Sequence, residues 1–529
     1  MTRRTSLACL IALAAAAPVA GVAAGHAPTP EELRAALAPR VQQLAAAGGD
    51  VTALAARDPE LAALLDSRPE TTGLVTLALA DPPVTVTFPA PAPSGPLVDE
   101  DLDGMPDRVR AALDAAGATL ARLEDAGLRE PGADLELYLL PLGSVARGWV
   151  GLDGTPVAGR GARGFVVVNI VHPAGSDAVD AATARFVARL ALAGLDADAP
   201  QWWLEPSVAW FELQAAGPSL EIASAIRSRW SQPELGLQTG LARIARGNVG
   251  LLLALEDPRL AQRVLRETWS ALARRAEIDS RDEVVIEALR RSTGTDVAEL
   301  QARAAIRALV DGLEPTRWAA EVAEVPAGGV QTTIHAGPWG GALLSLRPDP
   351  LGAAATRLSA STGGPGWTLS LIARRHDGRW ERIYGRDPAG GIELLVPWRD
   401  YERAVVVMIR DGRGSAREIE LLIDDAGADA LFALASVSAR HLADGSVEIA
   451  WRTGWERELF GWLVERSDAP DRPFQAIDEL PAPALGSETG GAFYRLRDPA
   501  AQDGRPAYRI VAVTRDGLRV SGPVLVPSR

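Results

Sequence analysis

The chain has 529 residues, which is too long for one hydrophobic core and predicts three or four domains. It carries 54 basic residues, all of them arginine, against 68 acidic residues, and the net charge is −14. This charge argues against a nucleic-acid backbone or an anionic lipid surface as the partner.

The N-terminus has the features of a secretory signal peptide, which we place at residues 1–24. Arg3 and Arg4 precede an apolar run at Leu7–Ala17, and small residues suited to cleavage follow. The single cysteine, Cys9, lies inside this run, so the mature chain is expected to have no disulfide. The run is too short to span a bilayer, and no later segment is long and apolar enough. We expect a periplasmic or extracellular protein with no membrane span.

The next part of the chain predicts helices and then a hairpin. Residues 25–70 form an N-terminal helical segment, since apolar residues recur at helical spacing within Thr29–Ser67. After it, Leu74–Leu79 and Val84–Phe88 are rich in β-formers and flank Asp81-Pro82-Pro83. This arrangement predicts a β-hairpin at the start of a larger domain, which we place at 71–314.

An acidic loop with calcium-ligand spacing follows the hairpin. It reads D-x-D-x-D-G-x-x-D, with carboxylates at Asp99, Asp101, Asp103 and Asp107. Alternate carboxylates on a tight loop suit the hard Ca²⁺ ion, but Arg110 stands where a calcium loop has its bidentate glutamate. The alternative is a solvated acidic turn that caps the helix Pro106–Leu123. Calcium therefore remains a possible cofactor with weak binding.

The centre of the chain predicts two strands and a series of helices. Leu135–Leu140 and Phe165–Val171 have the pattern of buried strands, and the glycine-rich Gly151–Gly164 between them predicts turns. The helices expected after them are Ala178–Leu195, Pro206–Gln214, Ser219–Trp230, Pro258–Arg274, Arg281–Ser292 and Asp296–Leu309. His172 ends the second strand and has no histidine nearby, so we interpret it as structural.

One segment within these helices resembles a peptidase core. Its pattern is W-W-x-E-x-x-A-x-W-x-E, formed by Trp202, Trp203, Glu205, Ala209, Trp210 and Glu212. It is similar to the segment that follows HExxH in secreted zinc metalloproteases of the gluzincin type common in myxobacteria. That resemblance implies an α+β, mostly helical peptidase lobe, with Glu205 as the third zinc ligand. The tryptophans are interpreted as core residues.

The HExxH motif itself is missing. In the best register its histidines fall on Ala184 and Ala188 and its glutamate on Arg185, so the resemblance implies a degenerate site that retains only Glu205. Zinc is not expected as a cofactor, because a zinc peptidase needs three protein ligands and a general base. A carboxylate left without its cation needs a new partner. We expect Arg185 or Arg189 to pair with Glu205, with Arg185 the better candidate.

The last two hundred residues predict two all-β sandwich domains, at 315–426 and 427–529. The apolar period changes to two near Pro315, and turns such as His376-Asp377-Gly378 separate the strands. The segments Trp451–Ser467 and Tyr508–Gly517 resemble bacterial fibronectin type III-like modules. His335 and His376 lie in different strands or turns and are interpreted as structural or solvent-facing.

These patterns together predict a secreted bacterial protein with a catalytically degenerate metallopeptidase-like domain. Its role would be binding or scaffolding, with an unknown protein or cell-surface ligand as the partner. The alternative is an active secreted zinc metallopeptidase with non-standard ligands. Glu205 and Glu212 lie seven residues apart, close to one helical face, and we expect one of them to be structural and the other exposed.

Overall fold

The structure is a computed structural model that describes most of the chain. The described residues are 27–40, 51, 58–80, 83–90, 97–100, 105–128, 135–143, 147–153, 163–171, 177–274, 280–311, 323–324, 330–347, 355–362, 366–386, 392–398, 401–412, 417–426, 431–468, 473–478, 480–487, 491–499, 506–515, 517, 519–525 and 527. The predicted signal peptide, His172, Asp101 and Asp103 lie outside them.

A five-stranded mixed sheet, sheet A, forms the first layer. Its strands, in the order β1-β2-β3-β5-β4, are β1 Leu74–Ala80, β2 Pro83–Pro89, β3 Leu135–Leu140, β4 Gly148–Leu152 and β5 Gly164–Asn169. β2, β3 and β5 run parallel, and the outer strands β1 and β4 are antiparallel to their neighbours. The predicted hairpin is present. β4 ends inside the segment Gly151–Gly164, which the sequence predicted as turns. Gly151 and Gly164 pack so closely that a Cβ on them would collide with Phe165 and with the Gly151 backbone, respectively.

Helices cover both faces of sheet A. α1 (Pro30–Leu37) and α2 (Pro59–Leu65) pack on one face, where Trp149 and Phe165 join their leucines in one core. The N-terminus of α1 is closed by a capping box between Thr29 and Glu32, so its first N–H groups have acceptors. α3 (Asp107–Asp125) and α4 (Asp177–Ala193) pack on the opposite face.

A helical part follows α4 and is built around one fully buried helix. Its helices are α5 Gln201–Ala216, α6 Leu220–Trp230, α7 Ala242–Gly247, α8 Gly250–Leu253, α9 Pro258–Ala273, α10 Arg281–Thr293 and α11 Val297–Asp311. Every residue of α5 from Trp202 to Glu212 is buried. The sequence placed the start of α5 at Pro206. The helix instead begins at Gln201 and includes Pro206 in its second turn, where burial of three tryptophans outweighs one lost backbone hydrogen bond.

The next part is a two-sheet β-sandwich. Sheet B has the order β11-β10-β13-β8-β6 and sheet C the order β12-β9-β14-β7. The strands are β6 Ala323–Glu324, β7 Val330–His335, β8 Gly341–Leu346, β9 Ala355–Thr362, β10 Trp367–Arg375, β11 Trp380–Arg386, β12 Ile392–Pro397, β13 Tyr401–Arg410 and β14 Glu418–Ala426. Their inner faces share one core that includes Leu369, Met408 and Leu421.

A second, smaller sandwich ends the chain. Its first sheet has the order β15-β16-β20, and its second has the order β18-β17-β21-β22 with β19 beside β17. The strands are β15 Phe432–His441, β16 Val447–Glu456, β17 Leu459–Ser467, β18 Gln475–Ala476, β19 Ala482–Pro483, β20 Phe493–Asp498, β21 Ala507–Thr514 and β22 Arg519–Leu525. Trp451 stacks on Tyr494 in the core between the sheets.

The parts of the molecule share hydrophobic cores. Sheet B turns its second face to the helices, so that Leu343, Val405 and Val407 pack in the same core as α9 and α11. The two sandwiches likewise meet in a common core. The protein therefore combines an α+β part with two β-sandwiches, while the domain boundaries drawn from the sequence stay predictions. Among the described residues, no helix has the length and apolar character needed to cross a bilayer.

Candidate functional site

The candidate site lies between α4 and α5, which pack against each other. α4 carries Arg185 and Arg189 one turn apart, and α5 carries Glu205 and Glu212 two turns apart. All four side chains are buried, and both glutamates are 0 % exposed. We call these four residues, with Arg246 of α7, the buried charge cluster.

Glu205 is bound by both arginines of α4. Arg189 Nη1 donates a hydrogen bond to Glu205 Oε1, and Arg185 Nη2 lies 3.7 Å from Oε2. Gln201, one turn earlier on α5, donates a second hydrogen bond to Oε1 at 3.0 Å. The predicted ion pair is thus present. The preference for Arg185 was wrong, because the hydrogen bond comes from Arg189, one turn further along the same face of α4.

Glu212 has a separate cation. Arg246 Nη2 donates to Glu212 Oε2, and the Ser219 hydroxyl donates to Oε1 at 3.3 Å. Burial raises the pKa of Glu212 above the usual value for a glutamate, and the positive charges of Arg246 and then Arg185 oppose this rise. The expectation that one of the two glutamates would be exposed was wrong, since α5 is buried on all sides.

The buried charge cluster continues to the surface through two more ion pairs. Glu221, on the first turn of α6, lies 3.9 Å from Arg246 Nη2 and also contacts Arg147 Nη1, just before β4. Arg147 and Glu221 are 26 % and 30 % exposed, so they form the rim of the cluster. Sequence reasoning missed Arg246 and Arg147, because α7 lies in a stretch without clear periodicity and Arg147 is distant in sequence from the other residues of the site.

The residues at this site do not fit a zinc ion. Guanidinium groups do not coordinate zinc at neutral pH, and the remaining oxygen ligand, Glu205, already accepts two hydrogen bonds. Ala184 and Ala188, the predicted histidine positions, are 0 % exposed and pack as small core residues. In the part of the chain that the structure describes, no three His, Cys, Asp or Glu residues come together as a metal site.

The tryptophans of α5 belong to the core. Trp202, Trp203 and Trp210 are at most 2 % exposed and pack with residues from α6, α9 and α10. Trp202 Nε1 donates to Asp282 Oδ1 of α10 at 2.7 Å. The prediction that these side chains are core residues is confirmed, and none of them offers a surface for a ligand.

The structure describes the acidic loop at its two ends, up to Glu100 and from Met105 onwards. Asp107 is the first residue of α3, and its Oδ2 accepts a hydrogen bond from the Glu100 backbone N–H at 3.3 Å. Asp99 is also described, but Asp101 and Asp103 lie outside the described residues. The predicted calcium site therefore stays a prediction.

The described histidines lie in different strands or turns. His335 ends β7 and lies 3.2 Å from Glu418 Oε1 on β14, and His376 Nε2 lies 3.3 Å from the Trp398 carbonyl oxygen. His441 ends β15 in the last sandwich. All three belong to the β-domains, as the sequence predicted.

Comparisons with known proteins add little to this geometry. No protein-family model and no curated protein matches the chain. Among solved structures, the chain is similar to an Fn3-like protein from Clostridium thermocellum, at 17 % identity over 19 % of this chain and 94 % of that chain, with a TM-score of 0.14.

Two larger solved structures also share a likeness with part of the chain. A β-1,2-glucanase from Parabacteroides distasonis has 11 % identity over 38 % of this chain, with a TM-score of 0.13, and red sea bream transglutaminase has 12 % identity over 39 %, with a TM-score of 0.14. In each case the likeness spans 32 % of the other protein. TM-scores this low carry no argument about activity.

Proposed function

We propose that this chain is a secreted bacterial protein whose metallopeptidase-like domain has replaced its metal centre with an ion pair and acts by binding. The observation that carries the proposal is the contact of two arginines, one turn apart on α4, with the fully buried carboxylate of Glu205. Its partner would be a protein or a cell-surface ligand. The fibronectin type III-like module is proposed to position the α+β part as a spacer.

The physical argument starts from the cost of a buried carboxylate. A carboxylate that loses its cation inside a protein is destabilising by several kcal/mol unless another positive charge replaces it. A guanidinium restores the charge balance and donates hydrogen bonds, but it offers neither an open coordination position nor an activated water. An arginine pair at this place therefore stabilises the fold without a metal, but it cannot support hydrolysis by a metal-activated water.

The contacts also suggest which positions of α4 once faced the metal. Arg185 and Arg189 reach Glu205, and they have the i, i+4 spacing of two histidine ligands on one helix face. We therefore propose that the ligand positions lay one residue after Ala184 and Ala188, the positions expected from the sequence. The position after the first ligand would then be Phe186, which is buried in the core and cannot act as a general base.

Two measurements on the purified protein test the proposal directly. We expect elemental analysis to find no stoichiometric zinc and a casein assay to find no cleavage. About one zinc per chain, removed by a chelator together with proteolytic activity, would overturn the proposal in favour of an active enzyme with non-standard ligands.

A designed variant tests the origin of the site. In Arg185→His/Arg189→His, two imidazoles and Glu205 supply the three-ligand set of a zinc site. We expect this variant to take up about one zinc ion per chain without gaining proteolysis, because no general base is present. Adding Glu205→Gln should abolish the uptake. A folded double variant that binds no zinc would contradict the assignment of these positions.

A further inference from the structure

The outer edge of β1 is the least protected strand edge in sheet A. Among the described residues, β1 is the terminal strand of the sheet and β2 is its only strand partner. Its seven residues, LVTLALA, include no charge and no proline, and its pairing with β2 has no bulge. Charges, prolines and bulges are the features by which proteins prevent strand edges from pairing with other chains.

Three other outer strands of the molecule, β4, β11 and β20, are protected. At the opposite edge of sheet A, Asp66 Oδ1 accepts a hydrogen bond from the Leu152 N–H, and the Leu65 carbonyl accepts one from Trp149 Nε1. In the sandwiches, β11 and β20 carry charged side chains along their length. Within the described residues, no backbone hydrogen bond reaches the outer side of β1 apart from its first residue, Leu74, which bonds to Thr71.

The side chains of β1 are suited to pairing with an identical strand. Val75, Leu77 and Leu79 face the core under α3 but stay partly exposed, since the sheet ends here. In an antiparallel pair of two β1 strands centred on Leu77, Leu77 of one chain lies opposite Leu77 of the other. Val75 of each chain then lies opposite Leu79 of the other. The apolar stripes of both copies then join on one side, while Thr76 faces Ala78 on the other. No charge is buried in this register.

We propose that a second copy of this chain pairs with β1 in this register and extends sheet A to ten strands across a two-fold axis. An isologous contact of this kind is the simplest closed assembly, because each copy uses the same surface. A strand pair of seven residues is a small interface, so the Kd should be on the order of 10 µM. The proposal is independent of the function proposed for the buried charge cluster.

Two matched double variants of the full mature chain test the register. Thr76 and Ala78 are exposed, so both variants should keep the wild-type fold, checked by circular dichroism and melting temperature. In Thr76→Lys/Ala78→Lys, two ammonium groups face each other across the axis, and the dimer should be lost. In Thr76→Lys/Ala78→Glu, an ammonium faces a carboxylate, and the dimer should persist.

Sedimentation velocity from about 1 to 100 µM provides the readout, since a weak dimer is seen only as mass increases with concentration. A wild-type protein that stays monomeric over this range would overturn the proposal. So would equal behaviour of the two folded variants, because the register predicts opposite charge contacts for them. A dimer that both variants retain would be formed through another surface.

Discussion

Arg189 and Glu205 form a hydrogen-bonded ion pair between α4 and α5, and the carboxylate of Glu205 is completely enclosed. Arg185 also approaches this carboxylate, with its Nη2 3.7 Å from Glu205 Oε2, so one negative charge serves two guanidinium groups. Removing the negative charge would leave two buried guanidinium groups with less compensation. The stability of the helical part therefore depends on this carboxylate.

The first prediction concerns this dependence. Glu205→Gln should lower the free energy of unfolding by about 3–5 kcal/mol, since it breaks a buried ion pair from one side. Glu287→Gln removes a half-exposed carboxylate paired with Arg291 on α10 and should cost less than about 1 kcal/mol. Urea unfolding of both variants makes the comparison. Equal midpoints for the two would show that Glu205 is not in the buried environment described.

The second prediction concerns Arg229, which is 0 % exposed at the junction of the helical part and the first sandwich. It donates to Asn248 Oδ1 at 3.0 Å and to the Trp339 carbonyl oxygen at 3.4 Å, and burial lowers its pKa to about 10. Arg229 is still charged at pH 7, because this pKa lies above 7. Arg229→Met should destabilise the protein by about 2–4 kcal/mol, since several buried acceptors lose their donor.

Arg227, one half-turn away on α6, is exposed and provides the control for this prediction. Arg227→Met should change the free energy of unfolding by no more than about 0.5 kcal/mol. If Arg229→Met behaved like the control in the same urea titration, the junction would not depend on the buried guanidinium.

The third prediction is a pH dependence in the last sandwich. The Tyr494 hydroxyl donates to Glu456 Oε1 at 2.6 Å, and burial together with this carboxylate raises the pKa of Tyr494 to about 12. The folded chain keeps this proton at a pH where the unfolded chain loses it. The contribution to stability is therefore complete below pH of about 10 and is lost as the pH rises towards 12.

Tyr494→Phe isolates this effect. The variant should be less stable at pH 7, because Glu456 and the Leu485 N–H lose a hydrogen-bond partner, but its stability should fall less between about pH 9 and pH 11. Melting temperatures at both pH values for the wild type and the variant measure the difference. An identical alkaline decrease in the two proteins would show that Tyr494 titrates normally.

The fourth prediction concerns the acidic loop. Calcium at a few millimolar should raise the melting temperature of the mature protein, with a Kd of about 10⁻⁴ to 10⁻³ M because the twelfth-position glutamate is missing. Asp101→Asn/Asp103→Asn should remove the shift. Magnesium at the same concentration controls for ionic strength. No heat in calorimetry and no shift in melting temperature with calcium would leave the loop as an acidic turn.

The sequence was most informative where one pattern dominates. The apolar period of α9 and α10 and the buried strand β3 placed these elements to within a residue, because each buries one regular face or run. It failed at the start of α5, where Pro206 was predicted as the first helical residue, and at β4, where glycines argued for turns. In both places tertiary packing decides the conformation, and local propensity cannot show it.

The candidate site was predicted in part for the same reason. The i, i+4 spacing of Arg185 and Arg189 on one helix shows that they share a face, and the segment around Glu205 shows that it faces inward. Which guanidinium reaches the carboxylate depends on the crossing of α4 and α5, and the partner of Glu212 comes from a helix 34 residues away in the chain. No spacing rule connects such positions.

The packing of sheet B against α11 determines which recombinant fragments of the chain can fold. Leu343, Val405 and Ile409 complete a core whose other half is made by helices that precede them in the chain. A recombinant fragment that stopped near Pro315 would present α11 with its apolar face in water, and it should be recovered as aggregate. During biosynthesis the helices are likewise made first. Their apolar face stays exposed until about a hundred further residues, which include the strands of sheet B, have been synthesised. Since the two sandwiches also share a core, the piece suited to ligand-binding assays should include both of them.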